Sequence, residues 1–269
     1  MRILIGTNTY KKYKRQDIAV RSYINLSEVY DCDVVDVQFK DATDQQSYDI
    51  DTRHILDRSS LDVTTGTKKL PFVNDILAYL SELRYDYFIF VNSDVILTRA
   101  IIKRIISEEP DCFACSRVDI QELDSFQQVI DRDVSPIRYE IAGFDAFVFN
   151  TEWFRDNKEL FQDYLIGQPC WDQVYATHMR IHGQSLFSNK FPPCCFHVQH
   201  APTWQVSTKT PERIFNHDSV ESSYLDKLSF NIFDDYLKTH LIKRLPMGSF
   251  MKVLDAESSI ESQYFNKFT

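Results

Sequence analysis

Hydrophobic and polar positions along this chain fall into blocks that predict strands and helices in turn. The segment RILIGTNTY, residues 2–10, begins apolar and ends polar, which predicts a first strand with polar groups at its carboxyl end. In RQDIAVRSYINLSEVY the apolar residues Ile18, Ile24, Leu26 and Val29 recur at helical spacing, and CDVVDVQF follows as a second strand. Strand, helix and strand at this spacing predict a βαβ unit with a right-handed crossover and parallel pairing. Residues 40–66 are polar and aperiodic, which predicts a long irregular segment. A helix is expected over KLPFVNDILAYLSELR, with Pro71 near its start, where a missing amide is tolerated. It leads into YDYFIFVNSDVIL, where Tyr87 to Val91 are continuously apolar, as in a strand covered on both faces of a parallel sheet. That strand delivers Asn92, Ser93 and Asp94 to its end.

Beyond it the pattern predicts a helix at about residues 98–109, the strand DCFACSRV, an acidic stretch from 119 to 135, and the strand AGFDAFVFN. WFRDNKELFQDYL and CWDQVYATHMRIHG have helical periodicity, and CCFHVQH is a short strand or loop after them. Residues 205–269 form a polar, helix-flavoured C-terminal extension to a main α/β domain spanning 1–204. Its segment FDDYLKTHLIKRLPMGSFMKVL mixes apolar and basic residues, which suits packing against the domain or a peripheral membrane contact.

Composition narrows the function classes. At 269 residues with 43% hydrophobic content, the chain can bury one large core and is not disordered. A net charge of −9 argues against a nucleic-acid binder and means that an anionic ligand would need focal cations or a metal ion. No window approaches the roughly 18 uninterrupted apolar residues of a membrane span, and MRILIGTNTY lacks the apolar core and cleavage site of a signal peptide. A cytoplasmic location is expected on these grounds. Cys112 and Cys115 form a C-x-x-C without a second pair at zinc-binding spacing, so buried free thiols are expected.

Polar groups at element ends gather at four places: Thr7, Asn8 and Thr9; Asn92 and Asp94; Asp145 and Asp172; and His197 and His200. In open α/β sheets ligands bind beyond the carboxyl ends of the strands. Asp145 lies inside the apolar run GFDAFVFN, where an unpaired carboxylate is costly, so a partner or a cleft is expected there. Asp172 opens a helix, where the macrodipole favours an acid.

Over residues 2–204 the order of these motifs resembles the glycosyltransferases of the GT-A fold, which have a Rossmann-like, mostly parallel sheet flanked by helices. GTNTY matches the nucleotide-binding loop after the first strand, KKLPFVNDIL the helix before the metal strand, and FVNSDV the place of the D-x-D metal motif. AGFDAFVF matches the acceptor-side loop, CWDQVY the helix opening with a catalytic acid, and FHVQH a histidine that completes the metal shell. The resemblance implies transfer of a sugar from a nucleotide-diphosphate sugar to a hydroxyl acceptor. Donor contacts would come from Thr7, Asn8, Thr9, Lys68, Lys69, Asn74 and Asn92, and acceptor contacts from Asp145 and Trp171. Asp94 would hold the metal with His200 or His197, and Asp172 would be the general base of an inverting reaction. An imidazole in the shell favours Mn²⁺ over Mg²⁺. Asn92 departs from the motif, because an amide lowers the charge facing a cation. That departure keeps open a second reading, a GT-A-fold protein that binds a glycan or partner without turnover. A sugar nucleotidyltransferase is a third, although GTNTY lacks that class's glycine-rich loop.

Overall fold

The computed structural model of the chain describes residues 1–10, 13–42, 48–130, 134–183, 193–200, 209–240, 263–264 and 267–268. Strand β1 (Ile3–Thr7), helix α1 (Lys14–Val29) and strand β2 (Cys32–Phe39) form the expected βαβ unit, with β1 and β2 parallel. Strand β3 (Asp51–Leu56) adds to β2 in parallel at the sheet edge, within the segment expected to be irregular. Its side chains are mostly exposed, so it carries almost no apolar pattern. Helix α2 (Val73–Glu82) precedes strand β4 (Tyr87–Val91), which pairs in parallel with β1. After a three-residue turn come strand β5 (Val95–Leu97), helix α3 (Arg99–Glu108), strand β6 (Cys112–Ile120), the single-turn helix α4 (Gln127–Ile130) and the long strand β7 (Pro136–Asn150). Helices α5 (Thr151–Asp156) and α6 (Trp171–His182), strand β8 (Cys195–Val198), and helices α7 (Pro211–Ser222) and α8 (Tyr224–His240) complete the described chain.

The result is a mixed α/β fold around a mostly parallel eight-stranded sheet in the order β3-β2-β1-β4-β7-β6-β8-β5, flanked by helices. Strand β7 runs antiparallel to β4 and β6, while β8 is parallel to β6 and antiparallel to β5. Every residue of β4 is buried, and alternation sends them to two cores. Phe88 and Phe90 join α2, α6 and the C-terminal residues Val220, Ile232 and Phe233 on one face. Tyr87, Ile89 and Val91 join α1 and α3 on the other. Helices α7 and α8 therefore share a core with the strands: the buried His178 of α6 lies 2.8 Å from Asp226, and Phe233 packs edge-on to Phe144 at 5.5 Å. Of the segment 233–254, expected to pack against the domain or touch a membrane surface, residues 233–240 end α8 with Phe233 and Tyr236 buried, and 241–254 lie outside the described residues.

The connection between β4 and β5 shapes the site. Three strands intervene between them in the sheet, a span of about 19 Å if the sheet were flat. Only Asn92, Ser93 and Asp94 link them, and the four steps from Val91 to Val95 reach at most about 14 Å. The sheet therefore curls, and β6 carries register shifts around Ser116 where the curl occurs. The curl brings the ends of β4, β6 and β8 together. Helix α1 buries Ile18, Ala19, Val20, Tyr23 and Leu26, whereas Val29, expected on its apolar face, is 47% exposed.

Candidate functional site

The turn Asn92–Ser93–Asp94 leaves the carboxyl end of β4 and is held from below by α1. The buried Tyr23 hydroxyl lies 3.1 Å from the Asn92 carbonyl and 2.7 Å from that of Val95. The Val95 amide closes the turn onto the Asn92 carbonyl at 3.1 Å. Asp94 is thereby fixed at the edge, half-buried, facing residues just beyond β8.

Three donor atoms converge there. Asp94 Oδ2 lies 3.3 Å from His200 Nε2 and 3.8 Å from His197 Nε2, and the two Nε2 atoms are 3.2 Å apart. Among the described residues these three form the one cluster of acidic, histidine and cysteine side chains arranged to hold a metal ion. Donors about 2.1 Å from a divalent ion are about 3.0 Å apart at a right angle and about 3.4 Å apart in a tetrahedron. Two of the three separations lie in that range, and the 3.8 Å pair would open to about 130° at a shared ion. Both histidines named as alternatives from the sequence stand beside Asp94 in this cluster.

His197 is oriented from behind. Its Nδ1 lies 3.1 Å from Asp119 Oδ1, which leaves Nε2 to face the cluster. Asp119 is 1% exposed and also accepts from Arg117 Nε at 3.0 Å and Arg138 Nε at 2.7 Å. Burial alone would raise the Asp119 carboxyl, but His197 and the two arginines hold it well below the usual carboxylate range. Burial would likewise raise Asp94, and hydrogen bonds with His197 and His200 outweigh it. Burial disfavours the charged form of His197, yet its bonds to Asp119 and Asp94 push its pKa up to about 9. The carboxylates that draw a proton onto His197 are the field a cation would meet.

A second acidic group borders the first. Asp145 lies on β7 opposite the end of β4, and its Oδ1 accepts from Asn92 Nδ2 at 2.7 Å, while Arg117 bonds its other oxygen. Arg117 thus joins Asp145 to Asp119. The half-buried Asp172 opens α6 and accepts from the Phe144 amide at 3.2 Å. Burial, reinforced by the negative charge of Asp145, raises the Asp172 pKa to about 7. A carboxyl titrating near neutrality is suited to take and return a proton. Cys170, the residue before α6, has φ of 88°, a conformation that strains a residue with a side chain.

The other expected residues fall into three groups. Thr7 donates to the Val91 carbonyl at 3.0 Å and Asn8 to the Val37 carbonyl at 2.6 Å, so both side chains tie strands together. Thr9 bonds Asp36 through its amide at 2.9 Å and its hydroxyl at 2.5 Å, and Gln38 Nε2 completes the group at 2.9 Å from Asp36 Oδ1. Burial raises the Asp36 carboxyl despite those bonds. Lys69 pairs with Asp41, Asn74 with Asp163, and the Lys68 backbone with Ser60 and Glu212, so the structure gives these three partners away from the Asp94 cluster. Trp171, expected on the acceptor side, is 3% exposed and packs against Phe90, Phe147 and Tyr175 at 5.1 to 6.2 Å. Its ring is part of the core and offers no free face to a sugar.

Sequence reasoning missed Asp119, Arg117 and Arg138. The signal was present in SRVDI, where Arg117 and Asp119 alternate onto one face of a strand; the strand had been expected to stop at Val118. All six cysteines are free and all but Cys170 are buried.

No family model and no curated protein sequence matches the chain. Among solved structures it is similar to TarS of S. aureus. Against TarS 1–349 in complex with UDP-GlcNAc the TM-score is 0.48 at 11% identity, covering 100% of this chain and 84% of that one. Against TarS 1–349 the values are 0.41 and 10%, covering 100% and 90%. Against the longer TarS chain they are 0.46 and 11%, and this chain spans 55% of its length. No described helix is long and apolar enough to cross a membrane.

Proposed function

We propose that the protein is a metal-assisted glycosyltransferase that moves a sugar from a nucleotide-diphosphate sugar to a hydroxyl acceptor, with inversion. The observation that carries this reading is the cluster of Asp94, His197 and His200 donors, linked through Asp119, Arg117 and Asp145 to the near-neutral Asp172. When bound, a divalent ion supplies positive charge to the diphosphate as it leaves. Two imidazoles and one carboxylate suit Mn²⁺ or another transition ion before Mg²⁺.

The chain's own groups do the rest. Asp94, His197 and His200 would hold the ion, and Asp119 would keep His197 in the tautomer that presents Nε2. Asp172 accepts the proton of the acceptor hydroxyl as its oxygen attacks the anomeric carbon from the side opposite the diphosphate. Asn92 and Arg117 fix Asp145 beside Asp172, where its charge keeps the base from ionising too early. Thr9, Asp36 and Gln38, at the ends of β1 and β2, form a polar platform suited to the nucleoside.

A thermal-shift panel of nucleoside diphosphates with and without Mn²⁺ tests the reading, because a ligand that binds only the folded chain raises its melting temperature. One nucleotide should stabilise the protein in a metal-dependent manner, and Asp94→Ala should abolish the effect. No response to any nucleotide would refute the proposal. Binding without slow donor hydrolysis would instead identify a protein that recognises the nucleotide without turnover.

A further inference from the structure

One cation stands against the metal cluster, its guanidinium lying over the Tyr13 ring at 4.8 Å and interacting with the Tyr10 hydroxyl. Arg15, on the first turn of α1, places its Nε 3.7 Å from Asp94 Oδ2, the same oxygen that faces both histidines. That is an ion-pair distance but too long for a hydrogen bond. The Nε atom is buried and has no hydrogen-bond partner among the described residues. A buried guanidinium N–H without an acceptor is costly. Close by, the Gln16 side chain is 1% exposed and neither of its amide atoms finds a partner among the described residues. The first turn of α1 has no side-chain cap, so its leading amides are also unbound by one. Arg15 and His200 line one cavity of about 310 Å³, together with Tyr13, Lys14, Gln199 and one acid, Glu122.

Charge decides what this arrangement can accept. Asp94 is the one carboxylate of the three metal donors, and Asn92 removes the second carboxylate that a D-x-D motif would supply. Asp119 and Asp145 are already engaged by Arg117 and Arg138. With Arg15 beside Asp94, a lone divalent ion meets little net negative charge. An ion about 2.1 Å beyond Asp94 Oδ2 would lie at most about 6 Å from the guanidinium, close enough for strong repulsion in a half-buried site. An anion lying between the two cations removes that conflict and supplies the acceptor that Nε lacks.

We infer that Arg15 makes metal and diphosphate binding mutually dependent: it competes with a lone metal ion for Asp94 and becomes a ligand of the donor's phosphates once metal and donor are bound together. The inference rests on reading the site as one for a nucleotide-diphosphate donor. It gives the metal site a reason to be electrostatically poor, since the ion enters with its anion.

The test compares wild type, Arg15→Gln and Arg15→Lys in the full chain. Bound Mn²⁺ is counted by loss of the free-ion paramagnetic resonance signal, alone and with UDP or GDP, and melting temperatures are recorded alongside. Wild type should bind Mn²⁺ weakly alone and about 10-fold or more tightly with the nucleotide. Arg15→Gln should bind Mn²⁺ alone several-fold more tightly and lose most of the gain from nucleotide. Arg15→Lys, which keeps the charge without the guanidinium fork, should remain weak for Mn²⁺ alone and show a reduced gain; it serves as the test if the Gln variant does not fold. Coupled binding in wild type that persists unchanged in both variants overturns the inference and leaves the glycosyltransferase reading standing. Absence of both metal and nucleotide binding in wild type overturns both.

Discussion

Asp172→Asn separates the cost of the candidate base from its use. The folded chain holds the Asp172 carboxyl near a pKa of about 7 through burial and the Asp145 charge, against about 3.9 for an unfolded aspartate. Because the folded pKa is the higher one, the unfolded chain releases its proton first, and stability falls as pH rises from about 4 to about 7. Three pKa units correspond to about 4 kcal/mol. Water reaching this half-buried carboxyl would reduce that to about 2 kcal/mol. Asparagine is neutral at every pH and can still accept from the Phe144 amide, so the variant avoids this cost. Asp172→Asn should therefore melt about 4–8 °C above wild type at pH 8, and the gap should shrink several-fold at pH 4.5. Differential scanning calorimetry of both proteins at the two pH values measures it. Contributions from Asp94, Asp119 and His197 are present in both proteins and largely cancel. A gap that does not change with pH, or a variant less stable than wild type at pH 8, would refute the account of Asp172 as a destabilised, proton-accepting carboxyl.

Asp119→Asn should lower Mn²⁺ affinity about 10- to 100-fold by releasing His197 from its fixed tautomer, measured by metal titration in the presence of nucleotide; an unchanged affinity would show that His197 needs no support. Tyr23→Phe removes the hydroxyl from the Asn92 and Val95 carbonyls and should cost about 1–2 kcal/mol in urea unfolding, with weaker metal binding because Asp94 is less well fixed. Asn92→Asp would place a second carboxylate beside Asp145, where Asn92 Nδ2 now lies 2.7 Å from Asp145 Oδ1; it should lower stability by about 1–3 kcal/mol at pH 8, and stability unchanged from wild type would count against that geometry.

Strand β4 was legible because five apolar residues without interruption have one good solution, burial on both faces of a sheet. Strand β3 was not, since DTRHIL is an edge strand whose exposed side chains carry no apolar period. The helix expected over WFRDNKELFQDYL ends early because Asn157 turns its side chain to the Trp153 carbonyl at 2.8 Å, a local bond that competes with the helix. At the site, Asp94 stood out as an acid at the end of an apolar run, Asp145 as one inside such a run, and Asp172 as one opening a helix. The sequence could not separate His197 from His200, because their relation depends on how the sheet curls. The ties of Asp119 to Arg138 and His197 were hidden for the same reason, since those partners lie 19 and 78 positions away along the chain, whereas Arg117 is two positions away within SRVDI.

The curl also changes the meaning of Asn92. In sequence it is a metal motif with one carboxylate missing, and a loss of metal binding is the natural expectation. In the fold its amide donates to Asp145, so its position belongs with Asp145 and Asp172, and the groups that could join Asp94 around a cation are a histidine pair on β8 and just beyond it. A carboxylate at position 92 would face Asp145 as a like charge and force one of the two to take a proton. Asparagine adds no like charge beside Asp145, burial and the Asp145 charge raise Asp172, and a raised Asp172 is what proton transfer at neutral pH requires. The departure from the motif is thus linked to the base as much as to the metal, and Asn92 by itself is no evidence that the site has lost its chemistry.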